Sequence, residues 1–176
     1  MADLGSAFQN LTSSWFRLET LQAYAVAEER EEYDAFLRTG RLDSPGDEEW
    51  QAMIRRHIGA GRTLQRVHVV EEPLSDYMRY EIAGYLRNQE AGEDIRLIPV
   101  PAGEWPDGLP PLGTDYWLID DGQPNGGAWV MEYDDAGGWL RSAHVEDPET
   151  VENFRRWRDT ALAQSVSLND YLGRAA

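Results

Sequence analysis

The chain contains neither cysteine nor lysine: none of its 176 residues is a cysteine, and all 16 basic residues are arginine. Without cysteine there can be no disulfide, thiol nucleophile, cysteine-bound zinc ion or iron–sulfur cluster. Without lysine there can be no Schiff-base lysine, lysine general base or phosphate-binding P-loop lysine. These two absences exclude several large classes of enzyme, and we expect no cofactor.

Long apolar runs are absent as well. No stretch approaches the roughly 20 residues that a membrane-spanning helix needs. The first residues, MADLGSAFQN, lack the basic start and the apolar stretch of a secretory signal. We therefore expect a cytoplasmic protein without a membrane association.

Positive charge is scarce relative to negative charge. The chain has 32 acidic residues and a formal net charge of −16. A field of this sign repels nucleic acid, so we expect no direct binding to DNA or RNA. The acids either form a solvated surface or dock a basic partner such as a DNA-binding protein, and composition leaves both interpretations open.

The N-terminal part of the chain looks mostly helical. Within it, the stretch SSWFRLET at residues 13–20 is ambiguous between strand and helix. The apolar spacing in DEEWQAMIRRHIGAG, residues 47–61, predicts a helix with His57 on its core-facing side. A packed histidine is the favoured interpretation of that position.

Alternating β-rich and helical patterns follow. A helix is predicted over residues 74–89, and strands are predicted over residues 66–70, 95–100 and 114–121 and as a hairpin within residues 127–147. The fold class is therefore α/β, with a single mixed sheet of about five strands flanked by helices.

The predicted domain organisation has two parts. Residues 1–44 form a mostly helical N-terminal segment packed on the core, and residues 45–176 form the α/β domain. The Pro- and Gly-rich loop at residues 101–114 is long enough to be a binding loop, and the groove beneath it is a predicted ligand site.

Several of these stretches resemble a family of small actinobacterial proteins that is known as a domain of unknown function. The matching segments are FRLETLQAY, RVHVVEEPLSDYMRYE, NQEAGEDIRLIPV, DYWLIDD and EDPETVENFRRWRD. Members of this family are often encoded near helix-turn-helix regulators of the XRE type. The resemblance implies such a regulator as a partner, and it implies no particular activity.

The order of the elements is also similar to one half of the phospholipase D-like fold. In catalytic members a late strand carries His-x-Lys-x4-Asp, in which the histidine is the nucleophile and the lysine holds phosphate. Aligning Asp120 with the motif's aspartate places Gly113 at the histidine and Asp115 at the lysine, and a register one residue later places Thr114 and Tyr116 there. This similarity implies a non-catalytic relative. It also implies a homodimer, because such half-domains commonly pair about a two-fold axis.

Acidic and aromatic residues around the strand at 114–121 form a candidate ligand- or partner-binding site. Asp115 and Trp117 share one face of this strand, and Asp120 and Asp121 follow at its end. Paired carboxylates can bind a divalent cation, but DDGQPNGG is equally rich in turn-forming residues. A binding site and turn chemistry both stay open here, and we assign no metal ligand.

A second candidate lies on the helix predicted over residues 74–89. Projected at 100° per residue, Glu81 falls within the apolar face and Tyr80 points away from it. Glu81 is therefore predicted to be buried or half-buried, and a buried carboxylate needs a partner. Arg66 and Arg96, at the starts of two strands, are the predicted partners, in a structural ion pair or in a binding site.

Two functional hypotheses follow from these observations. The first is a non-catalytic regulatory or interaction protein that binds a transcription regulator, another basic protein or a small ligand. The second is a hydrolase or phosphodiesterase-like enzyme that uses His57, His68 or His144 with carboxylates in a cleft. The second hypothesis requires two of the histidines to converge in one pocket, and we assign no catalytic residue.

Overall fold

The computed structural model describes residues 3–174, in which helices flank a single open sheet. The strands are β1 (Ser14–Glu19), β2 (Thr63–Glu72), β3 (Asp94–Pro101), β4 (Tyr116–Ile119), β5 (Gly127–Tyr133), β6 (Trp139–Val145) and β7 (Val166–Ser167). The helices are α1 (Leu4–Gln9), α2 (Arg30–Thr39), α3 (Glu48–Gly59), α4 (Asp76–Ala91), α5 (Pro148–Gln164) and α6 (Leu168–Arg174). A short 3₁₀ turn, Ala27–Glu29, precedes α2.

The sheet is mixed, and β1 lies at its centre. The strand order within the described residues is β6-β5-β4-β1-β2-β3-β7. The pairs β1–β2 and β2–β3 are parallel, whereas β1–β4, β4–β5, β5–β6 and β3–β7 are antiparallel. The α/β class with one helix-flanked sheet is therefore confirmed.

The predicted strand number of about five is wrong, because the sheet has seven strands. One missed strand is β1, which is the ambiguous stretch SSWFRLET inside the segment that looked mostly helical. Trp15 to Glu19 are all buried, since β1 has a neighbouring strand on each side and helices over both faces. A strand buried on both faces lacks a simple apolar–polar alternation. The other missed strand, β7, has only two residues and gives no periodic signal.

One face of the sheet is covered by α5, and its centre is a large apolar core. β1 contributes Phe16 and Leu18 to this core, and α5 contributes Val151 and Phe154. The hydroxyl of Tyr116 is satisfied there by donating to the Phe154 carbonyl oxygen at 2.9 Å. Asp147 caps the start of α5 by accepting from the backbone N–H of Thr150 at 2.8 Å, and Pro148 follows as the first helical residue.

The opposite face carries two apolar clusters that are separated by polar side chains. The first cluster packs the rings of Phe8, Trp15, Trp50 and Trp117 beneath α1 and α3, with centroids 4.7–6.0 Å apart. The second cluster joins α4 and α6 to β2 and β3. The gap between the two clusters lies over the centre of the sheet.

Helix α4 shows where the single-helix projection fails. Ser75 caps its start by accepting from the N–H of Met78 at 3.1 Å. Tyr80 was predicted to point outward, yet it is buried. Helix α2 covers that side of α4, and the rings of Tyr33 and Phe36 lie 5.2 and 5.7 Å from the Tyr80 ring.

Across residues 3–174, none of the helices has the length and apolar character that crossing a membrane requires.

Candidate ligand-binding cavity

A cavity of about 770 Å³ lies between the polar centre of the sheet and the helices α2, α3 and α4, and we call it the central cavity. Its lining includes Arg17 and Glu19 from β1 and Arg66 from β2. Acidic and aromatic side chains make up much of the remaining lining: Glu28, Glu29, Glu32, Asp47, Glu81, Tyr24, Trp50, Tyr77, Tyr80, Tyr85, Tyr133 and Trp139.

Strand geometry explains why charged side chains meet at the base of this cavity. Alternate residues of a strand share a face, so Arg17 and Glu19 follow Trp15 onto the side of β1 that faces away from α5. The parallel register pairs Arg17 with Arg66 and Glu19 with His68. Four polar side chains from two neighbouring strands are thus brought together above the sheet.

Glu19 is the shared acceptor of this group. Its Oε2 lies 2.8 Å from Nη1 of Arg66 and 2.7 Å from the hydroxyl of Tyr85, and its Oε1 lies 3.4 Å from Nε of Arg17. Burial acts to raise the pKa of Glu19, but the charges of Arg66 and Arg17 outweigh it and hold that pKa well below its usual range. Glu19 is therefore ionised at neutral pH.

Glu19, Arg17 and Arg66 belong to a buried polar network, which also includes Asp115 and Glu93. Asp115 is fully buried and pairs with Arg17. It accepts from the backbone N–H of Thr20 at 2.8 Å, from the Thr20 hydroxyl at 2.6 Å and from the Tyr24 hydroxyl at 2.6 Å. Nη2 of Arg17 lies 3.3 Å from its carboxylate. Asp115 thus orients Arg17 and also binds Thr20 and Tyr24, which follow β1 in the chain.

Arg17 is the least satisfied member of the network although it is only 4% exposed. Its Nη2 donates to the Tyr133 hydroxyl at 2.9 Å, and its guanidinium lies 4.9 Å from the centre of the Trp117 ring. Within the described part of the chain, its Nη1 forms no hydrogen bond, and neither does its Nε, for which the 3.4 Å approach of Glu19 is an ion pair without hydrogen-bond geometry. A buried donor without an acceptor costs on the order of 1–3 kcal/mol.

Arg66, by contrast, is well paired. Its Nη1 bonds Glu19, and its Nε lies 3.3 Å from Oε1 of Glu93, which also accepts from the indole N–H of Trp15 at 3.3 Å. Burial raises the pKa of Glu93 although the charge of Arg66 opposes the shift. Arg66 therefore anchors the network and has less capacity left for a ligand than Arg17.

Two carboxylates on the cavity wall lack such partners. Glu81 and Glu29 are half-buried, and among residues 3–174 neither forms an ion pair with an arginine. Burial and the charges of Glu19 and Glu29 raise the pKa of Glu81 to about 8. Burial also raises the pKa of Glu29, despite a 3.4 Å hydrogen bond from the Tyr77 hydroxyl.

The burial predicted for Glu81 is confirmed, but its predicted ion pairs are wrong. Arg66 is occupied by Glu19 and Glu93. Arg96 lies near the end of α5, where its Nε donates to the Ser165 hydroxyl oxygen at 2.8 Å. The strand pattern places arginines at strand starts but does not say to which face each one turns.

Four of the seven predicted site residues come together, since Asp115, Trp117, Arg66 and Glu81 line or support the central cavity. The remaining three, including Arg96, lie elsewhere. Asp120 has φ +49° and accepts from the backbone N–H groups of residues 12–14 at 2.7–3.2 Å. Its role is the turn chemistry that the sequence left open.

Asp121 is also structural. Its carboxylate lies 2.6 Å from Nε of Arg155 and 2.7 Å from Nη1 of Arg158, both on α5. These ion pairs tie the turn after β4 to the helix that covers the apolar face. The carboxylates of Asp120 and Asp121 therefore point to different partners. Nowhere in residues 3–174 do three or more histidine or acidic side chains form a group suited to a metal ion.

Sequence reasoning missed the most important members of the site. Arg17, Glu19, Tyr24, Tyr85 and Tyr133 were not singled out. The available signal was a pair of similar patterns, arginine-x-glutamate in FRLET and arginine-x-histidine in RVHVV, each with two polar side chains two residues apart. Once both stretches are recognised as strands, alternation places these side chains on one face.

The three histidines do not converge, and none of them lines the central cavity. His57 packs beneath α1 with Nε2 2.8 Å from the Phe8 carbonyl oxygen, as favoured from the helix pattern. His68 is fully buried between the Tyr85 hydroxyl at 2.6 Å and the Leu21 carbonyl oxygen at 2.7 Å, and burial lowers its pKa. His144 stacks on a tryptophan of β5.

The loop at residues 101–114 does not contribute to the central cavity. Trp105 and Leu109 pack instead against the apolar core beneath α5. The side-chain amide of Gln164 donates to the Asp107 carbonyl oxygen at 2.9 Å, which fastens the loop to the end of that helix. The loop is thus a cover for the apolar face.

Comparison with known proteins gives one match. The family model described as Domain of unknown function (DUF6879) matches residues 2–173. No curated protein matches the chain, and no solved structure matches it. Because the match spans almost the whole sequence, the chain belongs to the DUF6879 family.

Proposed function

We propose that this protein is a non-catalytic, ligand-binding regulatory domain whose central cavity holds a small polar molecule. The observation that carries this proposal is Arg17, which lines the cavity and has two buried guanidinium nitrogens, Nε and Nη1, that form no hydrogen bond among the described residues. Buried donors are almost always paired in folded proteins. An oxygen of a bound molecule would supply the missing acceptor.

The position and size of the cavity support the same proposal. Glu19 ends β1, so the cavity lies beside the carboxyl end of a central parallel strand, where ligands of α/β proteins commonly bind. A volume of about 770 Å³ falls within the range of small-molecule sites. Aromatic walls with a few fixed polar groups are also typical of such sites.

The proposed regulatory role is compatible with a protein partner. A net charge of −16 favours a basic partner, such as the helix-turn-helix regulator that the family resemblance implies. This partner, the homodimer and the similarity to half of the phospholipase D-like fold all stay predictions. Light scattering tests the homodimer, since a clean monomer mass would contradict it.

The alternative of a histidine-based hydrolase has little support in the geometry. It requires two histidines in one pocket, whereas His57, His68 and His144 each have separate partners and none lines the central cavity. The observed arrangement therefore favours binding.

A thermal-shift screen with a cavity-filling variant tests the proposal. Gly84 on α4 lines the cavity and has no heavy atom within 4 Å of the position that a Cβ would occupy. Gly84→Phe should fill the space without removing any charge. Gly173→Phe is the matched control, because Gly173 is an exposed residue of α6 with the same open surroundings.

We expect small polar molecules that raise the melting temperature of the wild type and of Gly173→Phe but not of Gly84→Phe. Each variant is first checked for a native circular dichroism spectrum. A broad library in which no compound shows this pattern would contradict the proposal.

A further inference from the structure

We infer that the molecule held in the central cavity carries a positively charged group, an amine or a guanidinium, that Glu29 and Glu81 bind. This inference rests on the proposed ligand-binding function and names the chemical class of the ligand. The part of the ligand that the cavity recognises is a single cationic group, which lies beside aromatic rings of the protein.

The first argument is the balance of charge around the cavity. Six carboxylates line it together with three arginines. All three arginines are already paired with acids of the chain: Arg17 and Arg66 with Glu19, and Arg87 with Glu32 at 3.2 Å. The other four carboxylates have no ion pair with an arginine among the described residues; of these, Glu28 and Asp47 are exposed, whereas Glu29 and Glu81 are half-buried.

The second argument is the aromatic environment of these two acids. Tyr77 contacts Glu29 through its hydroxyl and lies on the same cavity wall as Glu81. The rings of Tyr24 and Tyr80 lie 6.3 and 5.9 Å from the ring of Tyr77. Aromatic faces attract cations, most strongly where water is partly excluded. An amine between these rings and the two carboxylates would gain both interactions.

The pKa values of Glu81 and Glu29 are consistent with a cation-binding role for these two residues. Burial and neighbouring negative charge raise the pKa of Glu81 to about 8, and burial raises the pKa of Glu29. A cation at this position would relieve the repulsion between the two carboxylates.

Arg17 provides an observation that is independent of the acids. It is buried, lines the same cavity and has N–H groups without acceptors within residues 3–174. A ligand that satisfies both regions carries a cationic group for Glu29 and Glu81 and an acceptor oxygen for Arg17. The chemical class is therefore a small amphoteric molecule, with the cation as its distinguishing feature.

Ligand-detected NMR with charge-matched probes tests this inference. Two sets serve as probes: benzylamine, benzyl alcohol and benzoate, and phenethylamine, phenethyl alcohol and phenylacetate. Within a set the ring stays constant while the charge changes from positive to neutral to negative. Binding is measured to the wild type, to Gly84→Phe and to the double variant Glu29→Gln/Glu81→Gln.

The control variant is Glu31→Gln/Glu90→Gln. It removes two acidic side chains, one from α2 and one from α4, but both residues are exposed and neither lines the cavity. This control separates binding inside the cavity from a general attraction of cations to an acidic protein.

We expect the amines to bind the wild type about tenfold more tightly than the alcohols or the carboxylates. This preference should persist in Glu31→Gln/Glu90→Gln and disappear in Glu29→Gln/Glu81→Gln, and Gly84→Phe should abolish amine binding. If probes bind in a Gly84→Phe-sensitive way without preferring the amine, the inference fails and the proposed function stands. If no probe shows Gly84→Phe-sensitive binding, the inference fails. The proposed function is then decided separately by the library screen.

Discussion

The two faces of the central sheet are built from the same strands but differ in what they bury. Along β1, Phe16 and Leu18 enter the apolar core beneath α5, whereas Arg17 and Glu19 turn to the opposite face. The centre of the α5 face is apolar, and its polar side chains lie at the margin. The opposite face has apolar clusters on either side and charged side chains in the middle, directly beneath the central cavity.

This difference bears on which part of the fold stabilises it and which part the proposed ligand contacts. Replacing a buried ion network with packed apolar residues is often neutral or stabilising, so such a network is weak evidence for stability. Here the network lies beneath a cavity and contains an arginine with incomplete hydrogen bonding. We therefore interpret the apolar face as the structural side and the charged centre as the binding side.

The largest expected effect on stability comes from breaking the network at its shared acceptor. Glu19→Ala leaves Arg17 and Arg66 with one carboxylate each, Asp115 and Glu93 respectively. Since the substitution removes the shared partner of two buried arginines and the acceptor of the Tyr85 hydroxyl, we expect a loss of about 4 kcal/mol in the free energy of unfolding at pH 7. Urea denaturation measures it, and Glu19→Gln, which keeps the shape, should lose less. A loss below about 1 kcal/mol would mean that water reaches these arginines freely.

A somewhat smaller loss is expected on the apolar face. Leu18 is fully buried beneath α5, so Leu18→Ala should cost about 3 kcal/mol through lost burial and the cavity left behind. Benzylamine affinity, measured at a temperature where the variant stays folded, should equal that of the wild type. Equal destabilisation accompanied by a tenfold loss of affinity would show that the two faces are not separable in this way.

The third prediction concerns pH, and here the substitution is expected to stabilise the protein rather than to destabilise it. The folded-state pKa of Glu81 is raised to about 8 from its usual value of 4.5, so the folded protein holds this proton more tightly than the unfolded chain. Below pH 4.5 both states are protonated. Stability is lost as the pH rises from 4.5 to about 8, because only the unfolded chain ionises freely.

Glu81→Gln avoids this loss. We expect it to match the wild type near pH 4 and to be more stable by about 1–2 kcal/mol near pH 8.5, a figure reduced because Glu81 is half-exposed. Denaturation curves at both pH values measure the difference. Glu90→Gln, at an exposed position of the same helix, should show no such pH dependence. A constant difference for Glu81→Gln would argue against the raised pKa.

The smallest effect should come from the turn after β4. Asp121 pairs with Arg155 and Arg158 near the surface, and such pairs contribute little. Asp121→Ala should therefore change the free energy of unfolding by less than about 1 kcal/mol and leave amine binding unaltered. Asp120→Ala is the informative neighbour, since it removes the acceptor for several backbone N–H groups and should cost more.

The sequence predicted the parts of the fold in which one face differs clearly from the other. The helices α3 and α4 and the strands β2 to β6 carry periodic patterns, and each corresponds to a predicted element. β1 was ambiguous because both of its faces are buried and one of them carries charged side chains beneath the central cavity. The exposure of Tyr80 was predicted wrongly because a projection of α4 alone takes no account of helix α2, which covers that side.

The site was predictable only in part, for a related reason. Asp115, Trp117, Arg66 and Glu81 were found because they lie in elements whose type was clear. Arg17 and Glu19 were missed because their strand was not recognised, and Tyr24 and Tyr133 reach the site from segments that are distant in sequence. Contacts such as Tyr24 to Asp115, 2.6 Å apart, depend on the register between strands, which no local pattern specifies.

A crystal structure of the protein soaked with benzylamine tests the central claim most directly. The account predicts the aromatic ring between Tyr24, Tyr77 and Tyr80 and the ammonium group within about 3 Å of the carboxylates of Glu29 and Glu81. Density for the amine elsewhere on the acidic surface, with the central cavity unchanged at a concentration that saturates binding in solution, would contradict it.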